Sequence, residues 1–500
     1  MNQERRASIP AEIKDFFSKE GGRSLLVKGA AGTGKTTFAL HFMDELNDPE
    51  KCLYLTTRVS DEALFHHFPW LRDKEMRAKV IDSGRVLLQA LAPGDEEEHT
   101  VKDHRVDVAK DFLKSISAEG EGPMQVDRRM FSILLEENRM PELERIYDNI
   151  NNILPERPVV VVDSVEGFIN KYGLSMDEFI ITLQKDLVEN SNTNVILVLE
   201  KEEAPDIEYL VDGVIKMSRT KLDHRVIREI SMIKLRATEI KQPSYLVTLS
   251  GGNFIPFKPF LQSSTSKGNW QPFKDPGDFY STGIETLDEL LGGGFKKGSY
   301  NIIEIDDSVS SDHYHAILRP LFLNFLSQGR GITAVLPGGD HPESIKQDLG
   351  TFVDPNIFDK NVRILDHFIP RSDKPYVVAL GDPKEAQKNY RTAMHALDGK
   401  PIVDYTGFDT LEYLMGNKMQ ISELLTGVAK LKISQNLGIG LVKPGLKLAQ
   451  EVVNMADVYI KMKSVNGCPV VYGVKPSTII YALTDDEERG TPHVRLEPVL

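Results

Sequence analysis

The chain has only two cysteines, Cys52 and Cys468, and two tryptophans among 500 residues. Two thiols are too few for a disulfide framework, so a small cross-linked secreted fold is excluded and a reducing, cytoplasmic setting is predicted. Long hydrophobic runs are missing too. Nowhere do about 18 apolar residues follow one another, and MNQERRASIPAEIKDFF has no apolar stretch of roughly 7–15 residues ahead of a small-residue cleavage site. No membrane span and no export signal are expected. Basic residues are in deficit, with 60 Lys and Arg against 74 Asp and Glu and a formal charge of −14. That balance argues against nucleic-acid affinity carried by the whole-protein field and leaves only local basic patches. What is present, 41% hydrophobic and 27% charged residues, suits an ordinary globular chain of two or three domains.

Short Val/Ile/Leu-rich runs alternate with helix-length periodic segments. Ser24-Leu25-Leu26-Val27, CLYLTT (Cys52 to Thr57), PVVVVDS (Pro158 to Ser164) and NVILVLE (Asn194 to Glu200) read as strands buried on both faces. Strands separated by helices predict an α/β fold with a mainly parallel, helix-covered sheet. DGVIKMS, REISMIKLRAT and SYLVTLSGGNFIPF then read as an antiparallel extension. The order repeats in YNIIEI, GITAVLP, KPIVDYTGF and IGLVKPG, followed by ADVYIKM, CPVVYGVKPSTIIYAL and VRLEPVL, which predicts an internal duplication. The expected domains are 1–260 and 280–500, joined by a Pro-, Gly- and Ser-containing linker over 261–279. The charged stretch from Lys74 to Arg129 reads as a solvated insertion with a helix or two, and no chemistry is assigned to it.

The most specific pattern is GxxxxGK[ST] over Gly29, Ala30, Ala31, Gly32, Thr33, Gly34, Lys35, Thr36 and Thr37, between a strand and a helix. Glycines let backbone N–H groups converge on a phosphate, and the helix N-terminus adds its dipole. Lys35 is the candidate for the β- and γ-phosphates of ATP, and Thr36 offers a hydroxyl to Mg²⁺. The matching acid for Mg²⁺ is Asp163, at the end of Val159-Val160-Val161-Val162; its plainer reading is a helix cap, and Ser164 beside it reads as the cap in any case.

The strings GAAGTGKTTFAL, VVVVDSVEGF, IEYLVDGVIKM with REISMIKLRAT, and STGIETLDELLGGGFKKGS (Ser281 to Ser299) resemble the KaiC branch of the RecA-type ATPases across both halves. Within that branch, LLVKGAAGTGKTTFAL, YLTTRVSDEALFHHFPWL and IPAEIKDFF most resemble archaeal proteins carrying the P-loop domain of the gas-vesicle regulatory protein D. The resemblance implies two tandem RecA/KaiC-like three-layer domains. It also implies ATP bound at subunit interfaces of a homo-oligomer, where a neighbouring protomer supplies a Lys-x-Arg pair. Lys234 and Arg236 match that pair by position; alone, they would read as alternating charges on a half-exposed strand.

Departures from the family pattern are as informative. The second strand would end in two adjacent glutamates that prepare water, but Arg58 and Val59 stand there. Substitutes are Asp61, Glu62 or Glu166, each of which also reads as a solvated acid at a helix start. Glu200 matches the γ-phosphate-sensing position and is a second candidate to orient water, while Arg58 reads either as a phosphate or neighbour contact or as a surface arginine. In the second half the phosphate loop is replaced by Asp306-Asp307-Ser308-Val309-Ser310-Ser311-Asp312-His313, whose acids would repel phosphate. Asp404 is placed at the second-half strand end, and Lys475 keeps the trans lysine although Ser477 replaces its arginine. No Cys/His set has zinc spacing and no GxSxG occurs.

These readings predict an ATP-binding regulatory protein, a weak ATPase whose second domain is inactive. It would act as a nucleotide-controlled oligomeric switch for a protein partner, with transcriptional regulation as the context the narrower resemblance suggests. The alternative is a DNA-dependent ATPase related to recombinases, for which the basic stretch Arg219 to Arg236 is the candidate surface.

Overall fold

A computed structural model describes residues 9–45, 51–72, 80–86, 140–260, 270–415 and 421–500. Most of the expected insertion lies outside the described residues, as does 261–269 of the expected linker. The chain divides into two compact units, Met1–Thr220 with Arg228–Pro256, and Lys221–Ile227 with Phe257–Leu500. Among the described residues no helix is long and apolar enough to cross a membrane.

Among the described residues of the first unit, nine strands form one sheet. They are β1 (Ser24–Lys28), β2 (Cys52–Thr56), β3 (Val80–Asp82), β4 (Val159–Asp163), β5 (Asn194–Leu199), β6 (Gly213–Leu222), β7 (Arg225–Leu235), β8 (Ser244–Thr248) and β9 (Ile255–Phe257). Their order is β3-β2-β4-β5-β1-β6-β7-β8-β9. Pairing is parallel from β3 to β6, so β6, expected in the antiparallel extension, runs with β1; β7 and β8 are antiparallel. Alternation of side chains divides the strands between two cores. Leu25, Val27, Tyr54, Val161 and Val198 pack with Phe16, Phe38 and Phe42 of the helices Ala11–Ser18 and Lys35–Glu45. Leu26, Leu53, Leu55, Val160, Val162 and Leu197 pack with Ile146, Phe168 and Ile180 on the opposite face.

One buried polar network fastens that second face. Glu142 is fully buried and accepts from Ser83 Oγ at 2.7 Å, Lys171 Nζ at 2.5 Å and the Tyr172 hydroxyl at 2.5 Å. Burial pushes its carboxyl up, but the hydrogen bonds from Lys171, Tyr172 and Ser83 outweigh burial and hold it below the usual glutamate value. The sign follows: this contribution is present above the unfolded pKa of about 4.3 and is lost as pH falls through the lower folded value. Glu142→Ala is expected to lower stability by about 3 kcal/mol, because it removes the buried acceptor shared by the Ser83 and Tyr172 hydroxyls and a partly buried Lys171 ammonium, which keeps only its bonds to Ser83. Urea unfolding near neutral pH checks this, and a loss below about 1 kcal/mol would show the network to be marginal.

The second unit opens with a small ribbon, β10 (Phe279–Tyr280) and β11 (Phe295–Lys296). Its ten-stranded sheet holds β12 (Tyr300–Ile305), β13 (Gly331–Val335), β14 (Val362–Asp366), β15 (Val377–Ala379), β16 (Ile402–Gly407), β17 (Leu437–Val442), β18 (Val458–Val465), β19 (Cys468–Lys475), β20 (Tyr481–Asp485) and β21 (Val494–Pro498). The order β15-β14-β13-β16-β17-β12-β18-β19-β20-β21 matches the first sheet strand for strand, with β15 added at one edge. Both units are therefore α/β domains of the expected class, and the duplication is one of topology. Trp270, inside the segment expected to be linker, is buried in the second unit's core, and Phe273 N–H donates to Asn324 Oδ1 at 2.7 Å.

Candidate functional site

The loop after β1 carries positive φ at Gly29, Gly32 and Gly34. Gly29 shows why glycine is needed: a Cβ there would lie 2.2 Å from Met217 O on the neighbouring β6, and its φ of +153° is one that side chains rarely adopt. Its N–H donates to Lys201 O at 2.9 Å, which ties the loop to the end of β5. Thr33 Oγ1 donates to Ala30 O at 2.9 Å, and Phe38 N–H to Gly34 O at 2.8 Å as the helix begins. Lys35 is buried, with Nζ 2.8 Å from both Gly29 O and Ala30 O. Burial lowers its pKa, opposed by the negative charges of Glu200, Asp163 and Glu166 and assisted by Arg58.

Thr36 Oγ1 donates to Asp163 Oδ2 at 2.6 Å across 127 positions of sequence. Tyr54, fully buried on β2, donates its hydroxyl to the same oxygen at 2.5 Å. Burial first, then the Asp163 charge, drives the phenol's pKa well above its usual value, so it remains a donor. The Asp163–Ser164 peptide is cis. Ser164 caps the following helix, Val165–Tyr172, by accepting from Gly167 N–H, as the sequence suggested.

Glu166 lies in the first turn of that helix and is 7% exposed. Its Oε1 accepts the Glu200 N–H at 2.8 Å, while Oε2 is buried with no hydrogen-bond partner among the described residues. Glu200 pairs through its own side chain with Arg58. The structure therefore brings Lys35, Thr36, Asp163, Glu166 and Glu200 to one end of the sheet. An anionic phosphate chain fits the glycine loop and Lys35, and Mg²⁺ fits the hydroxyl–carboxylate pair of Thr36 and Asp163.

Lys234 and Arg236 are elsewhere. Arg236 N–H donates to Asp212 O, and its guanidinium to Asp212 Oδ1 at 2.7 Å. The same carboxylate receives Ser24 N–H, which places Arg236 at the N-terminal end of β1, whereas the loop leaves its C-terminal end. Lys234 Nζ donates to Glu208 O and Val211 O at 3.0 and 2.6 Å. Among the substitutes for the missing glutamate pair, Asp61 pairs with Arg85 at 2.9 Å.

One residue and one pairing escaped the sequence reading. Tyr54 is an ordinary apolar-strand residue until the β2–β4 register sets it beside β4, and the Arg58–Glu200 pair joins residues 142 apart. In the second unit Asp306 Oδ1 accepts from Ser308 N–H and from the Ser308 hydroxyl, and Ser308 Oγ accepts Ser464 N–H at 2.9 Å. Ser310 and His313 form a capping box where the helix starts. Asp404 is corrected: it sits third in β16, accepting from Thr333 Oγ1 at 3.0 Å, and the strand runs on to Gly407. The longer strand moved its true end beyond the acid.

Two family descriptions match the chain: "GvpD gas vesicle protein, P-loop domain" over residues 13–233 and "GvpD basic region 2" over 269–406. Protein GvpD2 of Halobacterium salinarum is 25% identical over 98% of this chain and 96% of that protein. Protein GvpD1 of the same organism is 27% identical over 73% of this chain and 63% of its own length. The circadian clock oscillator protein KaiC of Acaryochloris marina is 24% identical over 56% and 48%, so the chain spans about half of that relative. With a phosphate loop, a strand-end aspartate and GvpD matches in both halves, the chain is similar to the KaiC/RecA-like P-loop ATPases and close to the GvpD type.

Proposed function

We propose that the first domain binds ATP with Mg²⁺ and works as a slow, nucleotide-controlled oligomeric switch for a protein partner. The carrying observation is the 2.6 Å bond between Thr36 and Asp163 beside a glycine loop that already holds Lys35. Backbone N–H groups of 29–37 and the Lys35 ammonium would hold the phosphates, and Thr36 with Asp163 would hold the metal. Mg²⁺, when bound, supplies positive charge against the phosphates. Glu166 keeps Oε2 to take a proton from the water that attacks the terminal phosphorus while the bond to the ADP oxygen breaks. Lys234 and Arg236, at the other end of β1, would serve the loop of a neighbouring copy.

The second domain is read as a scaffold for assembly or partner binding, since its loop is closed by its own Asp306 and Ser308. The names of the relatives favour a task connected with gas vesicles, and the family resemblance favours a transcriptional activator as partner. Sedimentation of the purified chain without nucleotide, with ADP, and with the β,γ-imido analogue of ATP tests the reading, with phosphate release from ATP recorded in parallel. Assembly confined to the triphosphate form is expected, with turnover below the roughly 1–1000 per second usual for enzymes. Glu166→Gln should cut that turnover by about 100-fold. Fast turnover by an isolated chain, or a monomer in all three states, would refute the switch.

A further inference from the structure

We propose that Arg58 is the residue through which the first domain distinguishes ATP from ADP, with Glu200 holding it in reserve. The inference rests on the ATP-binding reading and specifies how the third phosphate is recognised.

Backbone stitching puts Arg58 at the site. Thr57 N–H donates to Asp163 O at 2.9 Å, and Thr57 Oγ1 is 2.9 Å from both Ser164 N and Ser164 O. The residue after Thr57 therefore emerges beside the metal-binding carboxylate. Its stem is fixed by close approach to the helix Val165–Tyr172, where a Cβ added to Gly167 would fall 2.2 Å from Thr57 Oγ1 and 3.3 Å from Arg58 Cγ. Glu200 is pinned from the other side: its N–H is held by Glu166, and the next residue, Lys201, accepts the Gly29 N–H that opens the phosphate loop. The charge of Arg58 is felt by Lys35, whose pKa it helps to lower.

The charges that bear most on Lys35 are the carboxylates of Glu200, Asp163 and Glu166 and the guanidinium of Arg58. A third phosphate adds negative charge beside these carboxylates, so it repels Glu200 and attracts Arg58. The Arg58–Glu200 pair is partly exposed, with side chains 48% and 32% accessible. Such a pair opens at small cost, whereas a guanidinium on phosphate forms strong, forked hydrogen bonds. Exchange of Glu200 for phosphate is thus favoured with ATP. ADP lacks the phosphate that would drive it, so Arg58 stays on Glu200. An arginine in place of the family's catalytic acid would make the site better at sensing a triphosphate than at cutting it.

The test is equilibrium binding of ADP and of the β,γ-imido ATP analogue, each with Mg²⁺, to the full chain. The wild type is expected to favour the triphosphate. Arg58→Ala should shrink the affinity ratio by about 10-fold or more, Arg58→Lys should restore part of it, and Glu200→Gln, which unlatches Arg58, should widen it several-fold. A ratio unchanged in Arg58→Ala overturns the inference. So does a ratio that shrinks in Glu200→Gln, which would mark the pair as structural; that variant decides the matter if Arg58→Ala does not fold. A wild-type chain that binds both nucleotides equally defeats only the role of Arg58. A chain that binds neither defeats the ATP-binding reading itself.

Discussion

Lys35→Ala is expected to weaken binding of ATP and ADP by about 100-fold or more, as measured by calorimetry on the purified chain. The lysine is the cation buried inside the loop, and in the structure its ammonium donates to the Gly29 and Ala30 carbonyls, at the place where phosphate oxygens would compete for it. Two charge-assisted hydrogen bonds at roughly 1.5–3 kcal/mol each correspond to a loss of that size. Fold damage is a separate question, answered by the melting temperature, since the variant gives up only two bonds within the loop while no longer burying a charge. Affinity kept within about threefold of wild type would mean that nucleotide sits somewhere other than residues 29–37.

Arg236→Ala is the second large effect. ATP turnover should fall by about 1000-fold, the scale found when an arginine that meets the transition state is removed, yet the protein should keep its stability to within about 1 kcal/mol because the Arg236–Asp212 pair has a 60% exposed arginine side chain. Arg236 is at the wrong end of β1 to serve its own loop, so the loss has to be transmitted between copies. Mixing separates the possibilities. Lys35→Ala and Arg236→Ala are each inactive alone, but a mixture contains interfaces in which the first supplies Arg236 to the intact loop of the second. Phosphate release is expected to reappear on mixing. A mixture that stays dead, under conditions where wild-type chains turn over, rejects action across an interface and leaves Arg236 as a surface residue.

How much of this could be read from the residues is instructive in particulars. The runs Ser24 to Val27, Cys52 to Thr57, Pro158 to Ser164 and Asn194 to Glu200 became β1, β2, β4 and β5 nearly to the residue, because strands buried on both faces leave an unbroken apolar signature. The phosphate loop was equally legible, since its glycines, lysine and threonine are contiguous. Pairing was not. Nothing local says that Tyr54 will meet Asp163 or that Arg58 will meet Glu200; both depend on which strands adjoin and in what register, and a slip of one residue turns a side chain to the other face. Asp404 shows the converse. An acid after an apolar run looks like a strand end, but β16 continues through Tyr405, Thr406 and Gly407, and only the sheet reveals it.

The position of β1 has a bearing on synthesis. Although it is encoded before every other strand of its sheet, it lies between β5 and β6, with Leu25 facing Ile196 on one side and Gly213 on the other. Gly29 needs Lys201 O as its acceptor and packs beneath Met217 O, and Leu249 fills the space beside Gly34. A growing polypeptide thus displays the complete motif long before it possesses the site. Until the residues around 200, 217 and 249 have left the ribosome, the glycine loop has no walls, and nucleotide can take no part in guiding the early steps of folding.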